Sequence, residues 1–209
     1  MAKKPRTSAA PVAAAARDWP VAALAIAAFA ISVYLAATKL AGGALLFCEA
    51  GSSCDIVQAS RWATFIGIPT AAWGAVVYAG IAALALTGLP PKRWLWTFAL
   101  AAGAVTVSAY LTAIELFVLR AICPWCVVIA LLAVAILVAL LVRRPAPAGK
   151  RSPTRPARVA TVGAGAAVVT LVLVAGIWAF DPGGPSSSYA TSLARHLGTS
   201  GGVMYGAFW

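Results

Sequence analysis

The chain has 209 residues, of which 62% are hydrophobic and only 10% charged, and its mean hydropathy is +0.91. These values exclude a water-soluble globular domain and indicate a protein solvated by lipid. The apolar runs are continuous rather than alternating, which excludes a transmembrane β-barrel. A net charge of +11 would suit a nucleic-acid partner, but the basic residues flank the apolar runs, where they can pair with acidic lipid headgroups. We therefore predict an all-α integral membrane protein with no nucleic-acid partner.

Five apolar runs approach the roughly 20 residues that a helix needs to cross the hydrocarbon core of a bilayer. The first run exceeds the apolar length of a cleavable signal, so we predict a retained span. Residues 1–19, rich in alanine, proline and basic side chains, are predicted to be disordered and cytoplasmic. The runs are residues 20–40, 66–89, 94–119, 126–142 and 159–180.

The basic residues are concentrated on one predicted side of the membrane, in residues 1–19, 92–93 and 143–158. By the positive-inside rule this side is the cytoplasm, and the N-terminus lies there. Residues 143–158 then form a cytoplasmic linker between a four-helix bundle at 20–142 and a fifth transmembrane helix at 159–180. The loops at 41–65 and 120–125, together with the C-terminus, face the outside of a bacterial inner or plasma membrane, which is an oxidising space.

All four cysteines fall on the predicted external face, in the first external loop and at the start of the fourth span. Cys123-Pro-Trp-Cys126 opens the fourth span, and the N-terminus of a helix lowers the pKa of the first thiol in a Cys-x-x-Cys. We predict that Cys123 is the reactive thiolate and that Cys126 lies deeper, nearer an acceptor in the membrane. Cys48 and Cys54 flank a flexible loop that lets their sulfurs form a disulfide or separate.

The sequence leaves open two alternative roles for the cysteines. The cysteines could form static disulfides that staple the loops of a non-catalytic membrane scaffold or transporter. They could also bind zinc, although an oxidising compartment and a Cys-x5-Cys spacing disfavour a metal site. Glu115 is the one charge clearly within a predicted span, and its candidate partners are Arg120 and Lys39.

Local sequence predicts two further features. The mixture of apolar and polar residues at 55–65 suits a short helix across the mouth of the bundle. Pro69 and Pro124 suit the first turns of the second and fourth spans, where a missing backbone N–H costs no hydrogen bond.

In its two cysteine pairs and the segment between them, the chain resembles the vitamin K epoxide reductase (VKOR) family. The resemblance is strongest to the bacterial branch, in which the reductase bundle is fused to a thioredoxin-like domain. The resemblance covers about residues 18–142. The DsbB family has its Cys-x-x-Cys in the first external loop, the reverse of the order here. The matching motifs are Cys48-Glu49 with Cys54, Ser60-Arg61-Trp62, Phe65-Ile-Gly-Ile-Pro69 and Cys123-Pro-Trp-Cys126.

The resemblance implies a relay of thiols. Cys123 and Cys126 would be the active-site pair that reduces a quinone such as menaquinone or ubiquinone, with Cys126 nearest the ring. Cys48 and Cys54 would be the shuttle pair, with Cys54 attacking Cys123 and Cys48 receiving electrons from a thioredoxin-like (DsbA-like) partner. Ser60 would lie beside the cysteines and the quinone. No metal or flavin is implied.

Two smaller features complete the comparison. Glu49 matches an acidic neighbour of the first shuttle cysteine. Animal members carry a tyrosine where this chain has Ala130, and an asparagine, a residue type absent here, so we expect quinone rather than epoxide reduction.

The C-terminal tail also resembles part of the fused branch. Residues 181–209 resemble a linker and the opening of the thioredoxin-like domain, and the strand-like 204–209 precedes a second Cys-x-x-Cys in those relatives. We therefore expect the sequence to be a fragment that stops before that motif, or else to work with a separate thioredoxin-like protein. The isolated strand favours the fragment.

Overall fold

The computed structural model describes residues 17–43, 45–46, 48, 52–147, 152–180 and 196. Glu49, the first 16 residues and almost all of the tail from 181 onward lie outside this set, so the expectations for them are not addressed. Within the described part, six α-helices and one short hairpin form the fold. The helices are α1 (Trp19–Ala41), α2 (Ser53–Ala59), α3 (Thr70–Leu86), α4 (Pro91–Ile114), α5 (Pro124–Val142) and α6 (Pro156–Phe180).

The predicted all-α membrane fold is confirmed. Four helices are long and apolar enough to cross a bilayer, namely α1, α4 with its extension to Leu119, α5, and α6 as far as Ala179. Helix α3 is equally apolar but has 17 residues, which lies at the lower limit for a span. Each of the five predicted apolar runs coincides with one of these helices.

The second run becomes helical later than its hydropathy predicts, because a hairpin occupies its start. Strand β1 (Thr64–Phe65) pairs antiparallel with β2 (Ile68–Pro69). The two turn residues, Ile66 and Gly67, both have positive φ, at 55° and 72°. This is the backbone of a two-residue hairpin turn, in which glycine removes the strain at one of the two positions. Pro69 is consequently the N-cap of α3 rather than a residue of its first turn.

The short helix predicted at residues 55–65 is also displaced. Helix α2 begins at Ser53, since the Ser52 hydroxyl caps it by accepting from the Asp55 N–H at 3.4 Å. It ends at Ala59, and one turn of 3₁₀ helix follows at Arg61–Ala63. The aromatic side chains predicted for this helix, Trp62 and Phe65, therefore lie beyond its end.

Helix α4 ends in a wider turn that leads the chain to the second cysteine pair. Residues Glu115–Leu119 form a π-helical turn, and Arg120 follows in the left-handed region at φ 51°. The Ala121 N–H donates to the Glu115 carbonyl at 3.0 Å and closes the turn. Helix α5 starts four residues after Arg120, with Pro124 in its first turn as predicted.

The bundle has a basic end and a cysteine end. At the basic end, the carboxylate of Asp18, the N-cap of α1, forms an ion pair with the Arg143 guanidinium, with an N–O distance of 3.6 Å. Small residues of α1, including Ala22, Ala25 and Ala28, are fully buried and let neighbouring helices approach closely. At the opposite end Lys39 of α1 donates to the carbonyl of Gln58 in α2, which ties the short helix to the bundle beside the cysteines.

Candidate active site at the cysteine end of the bundle

The structure brings the two predicted cysteine pairs into one cluster. Cys48 and Cys54 form a disulfide, whereas Cys123 and Cys126 are reduced. Cys54 lies in the first turn of α2, Cys123 is the N-cap of α5, and Cys126 lies one turn further on. All four pack together, with Val57 among their apolar neighbours.

Cys54 and Cys123 are the two cysteines in direct contact across the pairs. Their sulfur atoms are 3.8 Å apart, and the two residues are 3% and 0% exposed. A thiolate at Cys123 therefore lies against a sulfur of the Cys48–Cys54 disulfide. Thiol–disulfide exchange needs this approach of one sulfur to another, and the surrounding apolar side chains keep water from the contact.

The environment of Cys123 favours its thiolate. A hydrogen bond from the Cys126 side chain, opposed by burial, lowers the pKa of Cys123 from its ordinary value of 9.0 to about 7. The backbone N–H groups of Cys126 and Trp125 lower this pKa further, while the charge of Glu115 raises it. Both N–H groups belong to the first turn of α5, which begins directly after Cys123.

Glu115 has a different partner from those considered on sequence grounds. Its side chain is 3% exposed, and its Oε2 accepts a hydrogen bond from the backbone N–H of Cys123 at 3.1 Å. Neither Arg120 nor Lys39 forms an ion pair with it, so that prediction was wrong. The π-helical turn aims the carboxylate back at the start of α5. The available sequence signal was an acidic residue eight positions before Cys123 in an otherwise apolar span.

A largely apolar cavity of about 330 Å³ lies inside the bundle beside the cysteines. Cys126 lines this cavity and Cys123 does not, so Cys126 separates the sulfur cluster from the cavity. Glu115 lines it from the π-helical turn after α4, and the buried Tyr78 lines it from α3. Sequence analysis missed Tyr78 because one tyrosine in an apolar helix carries no distinguishing pattern.

Ser60 lies at the end of α2 and at the wall of the cavity. It is the C-cap of α2, where its hydroxyl donates to the Val57 carbonyl at 2.6 Å, and it also lines the cavity. Ala130, at the position where animal members carry a tyrosine, lines a shallow groove of the bundle rather than this cavity. Across the described residues, no group of three potential ligands could hold a metal ion.

A disulfide in contact with a reduced cysteine pair, at one end of a helical membrane bundle, defines the class of membrane thiol–disulfide oxidoreductases. Residues 19–142 match the profile of the Vitamin K epoxide reductase family, and the chain belongs to this family. The match covers more than half of the 209 residues and contains both cysteine pairs. It ends before α6 and does not extend to a thioredoxin-like domain.

Proposed function

We propose that the protein reoxidises a thioredoxin-like dithiol partner and passes two electrons to a membrane quinone, which supports disulfide formation in exported proteins. The observation that carries the proposal is the 3.8 Å contact between Cys54 and Cys123, with Cys126 lining an adjacent apolar cavity. Static loop staples would not require one disulfide to pack against a reduced cysteine pair.

The first step takes place at Cys48. This residue is only partly buried, whereas Cys54 is almost fully buried, so a thiolate of the partner meets Cys48 first. Attack forms a mixed disulfide with Cys48 and releases Cys54 as a thiolate. The second thiol of the partner then displaces Cys48, which leaves the partner oxidised and the shuttle pair reduced.

The second step transfers the two electrons inward. The Cys54 thiolate attacks Cys123 of an oxidised Cys123–Cys126 pair, forms a Cys54–Cys123 disulfide and releases Cys126. Cys48 then attacks Cys54, which restores the Cys48–Cys54 disulfide and releases Cys123. The structure has the redox state that follows this step, with the shuttle pair oxidised and the active-site pair reduced.

The cavity fits a quinone ring in size and polarity. Small-molecule sites typically measure about 300–1,000 Å³ and are mostly apolar with a few polar groups. Cys126, Ser60 and Tyr78 line the cavity and would lie around the ring. A bound quinone supplies an acceptor for two electrons and two protons. Re-forming the Cys123–Cys126 disulfide from two thiols releases those two electrons and two protons.

We further propose that the cysteine end faces the outside of a bacterial cell membrane. Arg143 lies at the other end of the bundle, next to the start of α1, and the first turn of α4 carries Lys92 and Arg93. Cytoplasmic loops carry the excess of basic residues in membrane proteins. In this orientation the N-terminus is cytoplasmic, residues 20–142 are the catalytic domain, and the cysteines meet partners in an oxidising space.

The internal relay can be tested by leaving one cysteine of each pair. The double variant Cys48→Ser with Cys126→Ser retains Cys54 and Cys123, and we expect nearly complete intramolecular disulfide formation under mild oxidation. Two matched controls retain Cys48 with Cys123, or Cys54 with Cys126, and should cross-link poorly. Alkylation followed by a gel shift measures the extent of disulfide formation in the three double variants. Equal cross-linking in the three variants, or none in the first, would contradict the relay.

The electron acceptor requires a separate assay. Purified protein in lipid nanodiscs, supplied with a reduced thioredoxin-fold protein and a soluble quinone, should convert the quinone to quinol. Cys123→Ala should abolish this turnover, although its Cys48–Cys54 disulfide should still form before the reduced partner is added. Quinol formation that persists in Cys123→Ala would reject the site, and oxidation of the partner without quinol would reject quinone as the acceptor.

A further inference from the structure

We propose that α6, which lies outside the residues matched to the family, forms one wall of the quinone cavity and that its Trp178 sets the affinity for the quinone. The inference rests on the proposed function. Three α6 side chains line the cavity, Thr170, Val174 and Trp178. They recur every fourth residue and so lie along one face of the helix.

Close packing brings this face of α6 to the cavity. At Gly103 of α4 an added Cβ would lie 3.1 Å from Oγ1 of Thr170, which is tighter than ordinary contact. At Gly163 of α6 an added Cβ would lie 3.1 Å from the ring of Phe98 on α4. Glycine at these two positions therefore lets the helices approach, as small residues do between membrane helices.

Trp178 joins α6 to the segment that covers the cavity. Its side chain is 1% exposed, and its indole N–H donates to the Thr64 carbonyl at 3.0 Å. Its own backbone carbonyl accepts a hydrogen bond from the Arg61 guanidinium. Two hydrogen bonds thus connect the C-terminal end of α6 to the 3₁₀ turn and to strand β1, where Trp62 and Phe65 line the same cavity.

The ring of Trp178 also lies at the centre of an aromatic cluster. It stacks on Tyr110 of α4, with centroids 5.6 Å apart and planes 13° apart. It meets Trp62 and Phe65 edge to face, at 5.1 and 5.4 Å. These contacts fix the position of the indole, and Trp178 lines the cavity together with Trp62 and Phe65 as a largely aromatic wall.

Trp178 differs from a tryptophan that only anchors a helix at the membrane surface. Interfacial tryptophans place their rings among the lipid headgroups. Trp178 instead directs its N–H at a protein carbonyl and buries its ring within the bundle. Trp96 of α4 is 72% exposed and offers a tryptophan of the same chain that lies outside the cavity lining.

Quinone kinetics test the inference. In Trp178→Ala we expect the KM for a soluble quinone, at saturating dithiol, to rise about tenfold, because an aromatic wall of the site is lost. Trp178→Phe keeps an aromatic ring, so its KM for the quinone should rise less. Trp96→Ala is the matched control. The Cys54–Cys123 cross-link should form equally in all variants, since Trp178 is not in the sulfur cluster. A KM in Trp178→Ala that matches Trp96→Ala would overturn the inference.

Photolabelling of the unaltered protein covers the case in which Trp178→Ala does not fold. A photoreactive benzoquinone analogue should label peptides containing residues 170–178, and excess unlabelled quinone should remove the label. Displaceable labelling confined to the other helices would overturn the inference while leaving the proposed function standing. If the wild-type protein neither reduces nor binds quinone, the proposed function fails, and the inference with it.

Discussion

The reactivity of Cys123 depends on groups within one helical turn of its sulfur. A hydrogen bond from the Cys126 thiol and the first backbone N–H groups of α5 favour the thiolate, whereas burial and the charge of Glu115 oppose it. The two cysteine pairs were predictable, because their spacing and position in the chain are local properties. The partner of Glu115 was not, because the direction of its side chain depends on a π-helical turn that hydropathy does not reveal.

The pH dependence of internal exchange follows from the lowered pKa of Cys123. Only the thiolate attacks a disulfide, so the rate at which Cys123 exchanges with Cys54 should rise with pH to a plateau, with a midpoint near 7. On the acidic side it should fall about tenfold per pH unit as the thiolate is protonated. Acid-quench kinetics with gel-shift detection measure this exchange rate as a function of pH. A midpoint near 9 would show that the pKa of Cys123 is not lowered.

Replacing Glu115 separates its charge from its hydrogen bond. Glu115→Gln keeps an oxygen for the Cys123 N–H but removes the charge that raises the pKa of Cys123, so the exchange midpoint should move to lower pH. Glu115→Ala leaves that buried N–H without its partner, which should cost about 1–3 kcal/mol of stability. The pH profile and the thermal unfolding midpoint give the two readouts. An upward shift in Glu115→Gln would contradict the electrostatic role.

At the scale of helices, hydropathy located every long helix but not the ends that shape the site. The apolar run from residue 66 gave no sign that Ile66 and Gly67 form a hairpin turn, because both suit a membrane span. The contribution of α6 was equally hidden. The close approaches at Gly103 and Gly163 depend on which residues face each other, and a single apolar sequence does not specify such pairing.

The close approach of α4 and α6 can be tested by placing a larger side chain between the two helices. Gly103→Leu should force the helices apart near Thr170, and overpacking of this kind costs about 1–3 kcal/mol. Gly80→Leu is the matched control, since no atom lies within 4 Å of a Cβ added there. The thermal unfolding midpoint in detergent should fall more for Gly103→Leu. Equal shifts in the two variants would contradict tight packing of α6.

At the scale of the whole molecule, the separation of a basic end from a cysteine end predicts one orientation. In a variant without native cysteines, Ser52→Cys should react with a membrane-impermeant maleimide in intact cells. Lys92→Cys should react only after the cells are permeabilised. The reverse pattern would place the cysteine end in the cytoplasm and rule out the proposed partners. This polarity stays a prediction, and it comes from sequence because the charge flanking each span is visible without knowledge of packing.

The graded exposure of the four sulfurs has a kinetic consequence. Cys48 is partly buried, Cys54 and Cys123 are enclosed, and Cys126 faces the cavity. Small thiols in the surrounding compartment can therefore collide with the outermost sulfur but not with the inner pair. In the proposed relay, electrons would therefore enter at Cys48 and leave at the cavity, and small thiols would not reach the Cys123–Cys126 pair directly.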